Sequence, residues 1–224
     1  MPPLPLIAPS MLAADFAHLA RDVEAVTQGG ADSIHWDVMD GSFVPNLTFG
    51  PCVIGALRSV TDLPFDAHLM VRNPRTLFSA CRDAGCQIVT IHADASDDVQ
   101  ADLKAIRALG MRAGVAFNPK DSLDSLAALL PLIDVVLILT VEAGFGGQRF
   151  QPLFDKIRSA RALIDNVRAP LELEVDGGVT DANATEIIRA GADILVSGTF
   201  IFKQGPTHYA SAIQALKGIK EYAA

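Results

Sequence analysis

Residues 135–165 read VVLILTVEAGFGGQRFQPLFDKIRSARALID. The aliphatic run Val135–Thr140 carries no charge, as expected of a strand covered on both faces. A glycine-rich turn, Gly144-Phe145-Gly146-Gly147, follows it. From Pro152 to Asp165 the apolar residues return at helical spacing, and Pro152 suits a first helical turn. Strand, turn and helix together make one βα unit.

The same unit recurs outward in both directions. Strands are expected at Leu6–Leu12, Ser33–Met39, Phe65–Met70, Ile88–His92, Arg112–Phe117, Val135–Thr140, Leu171–Asp176 and Ile194–Ser197. Helical patterns fill the intervals at Phe16–Thr27, Cys52–Ser59, Pro74–Ala84, Asp97–Leu109, Leu123–Leu130, Pro152–Asp165, Asp181–Ala190 and Tyr209–Tyr222. Gly30, Gly85, Gly110 and Gly191 fall where helices should stop, and Asp181 suits a helix N-cap. Alternation of near-continuous apolar strands with helices predicts a parallel sheet wrapped by helices. Eight units in 224 residues predict an α/β fold, a (β/α)₈ TIM barrel over 1–224 as a single domain. An open, doubly wound sheet is the structural alternative.

Composition narrows the function. With 18 Lys+Arg against 26 Asp+Glu, the net charge of -8 argues against a nucleic-acid partner, which would need a basic stripe. A small phosphorylated ligand stays possible, because backbone N–H groups can hold a phosphate without lysine. The cysteines Cys52, Cys81 and Cys86 form no CxxC pair and read as buried free thiols in a reducing compartment. MPPLPLIAPSML lacks the pattern of a signal peptide and no stretch is long enough to span a bilayer, so a cytoplasmic protein without membrane contact is expected.

In a barrel of this kind, chemistry sits at the C-terminal ends of the strands. Polar residues interrupt the apolar strands there. His35, Asp37 and Met39 share one strand face, as do His68 and Met70, and Glu172, Glu174 and Asp176. His35, Asp37, His68 and Asp176 could together make an N₂O₂ site for Zn²⁺, Fe²⁺, Mn²⁺ or Co²⁺. Each is equally explicable alone as a hydrogen-bonded structural group. His92, alone at its strand end, reads as a residue behind the ligands or lining a substrate; Met39 and Met70 read as core filler. Glycine turns at Gly144–Gly147, Gly177–Gly178 and Gly198-Thr199 follow three consecutive strands and predict a phosphate cup.

Eight segments carry a resemblance: IAPSML-AADF, HWDVMDGSFVPNLTFGP, DAHLMV, TIHADAS, FNP, TVEAGFGGQRF, EVDGGV and GADILVSGTFIF. In order, and over nearly the whole chain, they resemble the motifs of the ribulose-phosphate 3-epimerase family. The resemblance implies a barrel that interconverts D-ribulose 5-phosphate and D-xylulose 5-phosphate with one divalent metal ion. It implies His35, Asp37, His68 and Asp176 as ligands, with Asp37 and Asp176 also trading the C3 proton on opposite faces of an enediolate. Ser10 and His68 would contact the substrate, Met39 and Met70 would lie over the reacting carbons, and Phe145 would add apolar cover. Gly144, Gly146, Gly147, Gly177, Gly178, Gly198 and Thr199 would hold the phosphate. A homo-oligomer fits the family.

Four positions depart from the family pattern. Leu139 stands for a methionine and removes a sulfur from the lining; Ala143 stands for a proline and loosens the loop into the cup. Thr199 replaces serine but keeps the hydroxyl, and Phe117 replaces leucine. The nearest rival activity is 3-epimerisation of D-allulose 6-phosphate. A phosphate-binding barrel of other chemistry, or a non-catalytic sugar-phosphate sensor, would have no use for the full set His35, Asp37, His68 and Asp176.

Overall fold

Each aliphatic run becomes a parallel strand in the computed structural model, which describes residues 4–167 and 170–218. The strands are β1 (Leu6–Pro9), β2 (Ile34–Met39), β3 (Phe65–Met70), β4 (Ile88–His92), β5 (Arg112–Phe117), β6 (Val135–Leu139), β7 (Glu172–Asp176) and β8 (Ile194–Ser197). They pair in the order β1-β8-β7-β6-β5-β4-β3-β2. The two ends of this order meet: Ser10 bridges His35 in parallel, and the Asp32 amide donates to the Ile7 carbonyl at 2.9 Å. The Ile7 amide in turn donates to Asp32 Oδ2 at 2.8 Å. An open sheet would leave these groups on a free edge; here the eight strands form a nearly closed barrel.

Register decides what the barrel contains. His35 matches Asp66, Asp37 matches His68, His68 matches Thr90, and Leu139 matches Asp176. Matched residues on parallel neighbours point to the same side. One parity set, including Trp36, Phe65, Ile91, Val136 and Leu173, faces outward and builds the main core with the helices. The other set fills the barrel. It contains small apolar clusters, Ala8 with Ile194 and Val196, and Met39 with Val44 and Met70. Between them lie His35, Asp37, Asp66, His68, Thr90 and Glu174, all buried. Burying this much ionisable chemistry is costly unless the groups pair, so the interior is organised around polar contacts.

The helices are α1 (Leu19–Gln28), α2 (Pro51–Ala56), α3 (Phe78–Asp83), α4 (Val99–Ala108), α5 (Leu126–Leu129), α6 (Phe154–Asp165), α7 (Ala184–Arg189), α8 (Thr199–Phe202) and α9 (Tyr209–Leu216). Several are shorter than their sequence patterns. Turns of 3₁₀ helix at Phe16–His18, Arg58–Val60 and Pro74–Leu77 take up parts of the expected α-helices. The first strand ends at Pro9, and Met11–Ala13 is a 3₁₀ turn capped by Ser10. α7 begins after Asn183, not at Asp181, because Asn183 Oδ1 accepts from the Thr180 amide and its Nδ2 donates to the Gly178 carbonyl. Pro152 lies two residues before α6, ahead of the N-cap Leu153, instead of opening it. Gly85, Gly110 and Gly191 stop their helices with φ of +83°, +83° and +115°.

Cys81 and Cys86 are buried, whereas Cys52 is exposed on the outer side of α2, contrary to the reading of all three as buried. Among the described residues no helix is long and apolar enough to cross a membrane. The expected helix over Tyr209–Tyr222 runs past residue 218, and its last part lies outside the described residues. The same holds for residues 1–3 of the N-terminal segment and for both ends of the expected 1–224 domain.

Candidate active site

A cavity of about 800 Å³ opens at the C-terminal ends of the strands. Ser10, Asp37, Met39, Met70, Leu139 and Asp176 form its floor and sides. Its far wall is made by the turns at Gly144–Gly147, Gly177–Gly178 and Gly198-Thr199, all three of which reach it. Glycine is required at two of these positions. At Gly177, with φ of +116°, a Cβ would sit 2.6 Å from Val141 Cγ2; at Gly178, with φ of +66°, it would meet the Phe150 amide nitrogen at 2.4 Å.

His35, Asp37, His68 and Asp176 each offer one donor atom, and these atoms lie within 4.8 Å of one another. Asp37 is held on both oxygens. Ser10 Oγ donates to Oδ2 at 2.6 Å, while Oδ1 lies 3.3 Å from His68 Nδ1 and 3.5 Å from His35 Nε2. His35 Nδ1 bonds Asp66 Oδ2 at 2.8 Å, which leaves its Nε2 fully buried, without a hydrogen-bond partner among the described residues, and aimed at Asp37. A carboxylate behind the ring and a bare nitrogen in front of it is how a ligating histidine is usually supported. The orphaned nitrogen and the N₂O₂ donor set both fit a divalent cation.

Electrostatics separate the two aspartates. Burial pushes the Asp37 carboxyl up, but His35 and then His68 outweigh it and hold Asp37 below the ordinary carboxylate range. Asp176 has no such cationic excess: burial, and then the charge of Asp37, raise it to about 7. Burial lowers His35, yet the charges of Asp66 and Asp37 win and raise it well above an ordinary histidine. Glu174, beneath the site, is raised to about 8 by burial and by Asp66.

These shifts imply a pH dependence of stability in metal-stripped protein. Asp176 and Glu174 stay protonated in the fold up to about 7 and about 8, but ionise near their ordinary values of 3.8 and 4.5 when unfolded. The native chain then binds more protons than the unfolded one, so this stability is complete below about pH 4 and lost as pH rises through about 7–8. His35, also raised, acts in the same direction. Asp37, being lowered, contributes with the opposite sign, and its share is lost only in acid. The melting temperature of stripped protein is expected to fall between about pH 5 and pH 9, and added divalent cation to flatten the fall. Thermal scans across that range check it; a flat profile without metal would contradict the raised carboxyls.

A sequence profile described as the Ribulose-phosphate 3 epimerase family matches residues 6–202. The chain belongs to the ribulose-phosphate 3-epimerase family. It is accordingly an isomerase. A ribulose-phosphate 3-epimerase of Bacillus subtilis (strain 168) is 41% identical over 216 residues, covering 96% of this chain and 99% of the relative. That of Rhodobacter capsulatus is 40% identical, covering 97% and 96%. The chloroplastic ribulose-5-phosphate-3-epimerase of Arabidopsis thaliana is 43% identical, covering 98% and 78%. Among solved structures, a tryptophan synthase α-subunit from Pyrococcus furiosus aligns with a TM-score of 0.72 at 13% identity, over 96% of this chain and 98% of that one. Phosphoribosyl anthranilate isomerase from Thermus thermophilus aligns with a TM-score of 0.68 at 12% identity, over 98% and 100%. These two likenesses show the barrel fold alone.

In this epimerase-family chain the expected site residues converge, with two qualifications. His68 is fully buried behind the wall and does not line the cavity, and Phe145 stands at the rim with 54% of its surface exposed. The loop that carries Ala143 is stapled from two sides. Asn46 Nδ2 donates to the Gly144 carbonyl at 2.7 Å, and Gln148 Nε2 to the carbonyls of Glu142 and Phe145 at 2.6 and 2.8 Å. Sequence reasoning assigned nothing to Asp66, although its parity with His68 places it inside the barrel. Asn118, Asn183 and Lys203 were also missed; the last two reach the cavity only through loop geometry.

Proposed function

We propose that the chain interconverts D-ribulose 5-phosphate and D-xylulose 5-phosphate by moving the proton at C3, with Asp37 and Asp176 as the two acid/base groups. The observation that carries this reading is geometric: β2 and β7 bring two carboxyls, Asp37 and Asp176, to one cavity, each with an oxygen in the same donor cluster as His35 and His68. Two carboxyls on one cavity can divide the work of accepting a proton and returning one. Inverting a carbon beside a ketone needs both: a proton leaves C3 toward one carboxylate, and the other carboxyl returns one to the opposite face. The substrate then has no need to turn over between the two transfers.

His35, Asp37, His68 and Asp176 would hold the divalent cation, for which Zn²⁺, Fe²⁺, Mn²⁺ and Co²⁺ all suit the donor set. When bound, the cation supplies Lewis acidity to the oxygens flanking the reacting carbon. Asp66 fixes the ring of His35, and Ser10 fixes the carboxylate plane of Asp37. The glycine turns with Thr199 anchor the phosphate, setting the reacting carbon between the aspartates. Met39, Met70 and Leu139 keep water from the planar intermediate. The same reading takes residues 1–224 as one barrel acting as a unit.

Solvent-deuterium incorporation at C3 tests it, run side by side on ribulose 5-phosphate and allulose 6-phosphate. Deuterium at C3 with accumulation of xylulose 5-phosphate, faster than any reaction of the hexulose, is the expected result. Faster exchange of the hexulose would replace the substrate, and no exchange with either would end the reading.

A further inference from the structure

After β7, three consecutive carbonyls are each held by a side chain. Thr140 Oγ1 donates to the Gly177 carbonyl at 2.6 Å, Asn183 Nδ2 to the Gly178 carbonyl at 3.0 Å, and Ser197 Oγ to the Val179 carbonyl at 2.9 Å. Thr140 Oγ1 also lies 2.9 Å from the Asp176 carbonyl. That carbonyl already accepts from the Thr140 amide at 2.8 Å, which leaves the single hydroxyl proton for Gly177. The turn after β6 repeats the arrangement. Asn46 Nδ2 holds the Gly144 carbonyl, and Gln148 Nε2 holds those of Glu142 and Phe145.

A trans peptide sets its N–H opposite its C=O, and no peptide bond among the described residues is cis. Drawing back the Gly177 and Gly178 carbonyls therefore turns the amides of Gly178 and Val179 the other way. Drawing back those of Gly144 and Phe145 does the same for the amides of Phe145 and Gly146. Among the described residues none of these amides donates to a protein group. All of them belong to residues that line the cavity, whereas Thr140 and Ser197 are buried behind its wall. Successive amides facing one space form a nest for an anion, and a carbonyl oxygen swung into that space would repel it. We propose that Thr140, Asn183, Asn46 and Gln148 are positioning residues for the phosphate, acting as carbonyl clamps that keep the oxygens of the two turns out of the cavity and the amides on it. The inference rests on the phosphate-cup reading above and adds residues that act through the backbone. With these peptides fixed before the ligand arrives, binding does not have to order them.

The test uses the full chain and inorganic phosphate alone, titrated by calorimetry. Thr140→Val keeps the shape of the side chain and loses its donor; Gln148→Met does the same in the other turn. Each is expected to weaken phosphate binding by about tenfold, the order expected when hydrogen bonds to a charged ligand lose their aim. Thr140→Ser keeps the hydroxyl and is expected to stay near the native affinity. With ribulose 5-phosphate, KM should rise with the phosphate dissociation constant, and by more than kcat falls. Weakening by Thr140→Ser as large as that by Thr140→Val would reduce Thr140 to packing and overturn its clamp. Unchanged affinity in Thr140→Val and Gln148→Met would overturn the inference; if Thr140→Val fails to fold, Gln148→Met decides alone. A native chain that binds no phosphate would overturn the cup and the clamps together. Phosphate binding that the variants weaken, in a native chain that exchanges no proton at C3, would leave the clamps standing and end the epimerase reading.

Discussion

Asp176→Asn is expected to lower kcat by about 10²–10⁴-fold, the usual contribution of a positioned acid or base. The amide keeps the shape of the side chain but cannot carry a proton. Asp37 remains, so one face of C3 stays served. Exchange of the C3 proton from one substrate epimer should therefore survive in part while inversion is lost. That split separates loss of a proton carrier from general damage to the site. Stability gives a second control: in metal-stripped protein, removing a half-buried carboxyl raised to about 7 takes away a group that is costly to ionise, so the variant should melt no lower than the native chain at alkaline pH. Near-native turnover in the variant, measured by coupled assay and by deuterium at C3, would sink the two-base reading.

Metal removal is the second large effect. Exhaustive chelation is expected to reduce turnover by on the order of 10³-fold or more, since a Lewis acid at a developing charge is worth several kcal/mol. Zn²⁺, Mn²⁺, Co²⁺ or Fe²⁺ added back should restore activity. Among the described residues His35 Nε2 has no hydrogen-bond partner, so the stripped protein should also melt lower and recover on reloading. Metal content by elemental analysis, beside kcat and melting temperature, checks both expectations. Full activity in demonstrably metal-free protein would exclude the cation from the chemistry.

Much of this site is legible in the chain itself because strands have a period of two. HWDVMDG puts His35, Asp37 and Met39 on one face, DAHLM puts Asp66, His68 and Met70 on one face, and ELEVDGG does the same for Glu172, Glu174 and Asp176. Glycine turns after three successive strands mark the phosphate end for a similar local reason: only glycine tolerates the backbone at Gly177 and Gly178. Helix boundaries were less legible. The Asn183 side chain bonds the Thr180 amide and Gly178 carbonyl in a turn, and so displaces the expected N-cap at Asp181.

The sequence by itself determined the alternation of strands and helices, the polar residues that share a face within each strand, and the family to which their order belongs. Only the tertiary structure decided which faces meet. Closing the barrel at Ser10 and His35, and matching Asp37 with His68 and Leu139 with Asp176, brings donors from β2, β3 and β7 within 4.8 Å. That proximity, with the burial around it, shifts the two carboxyls in opposite directions in the metal-free fold and leaves His35 Nε2 without a hydrogen-bond partner among the described residues. His92 shows the same division. Alone at a strand end it is an ordinary buried imidazole; 2.9 Å from His68 it stands directly behind one of the four candidate ligands. Local periodicity is a property of one strand, whereas register, closure and electrostatic coupling exist only between strands.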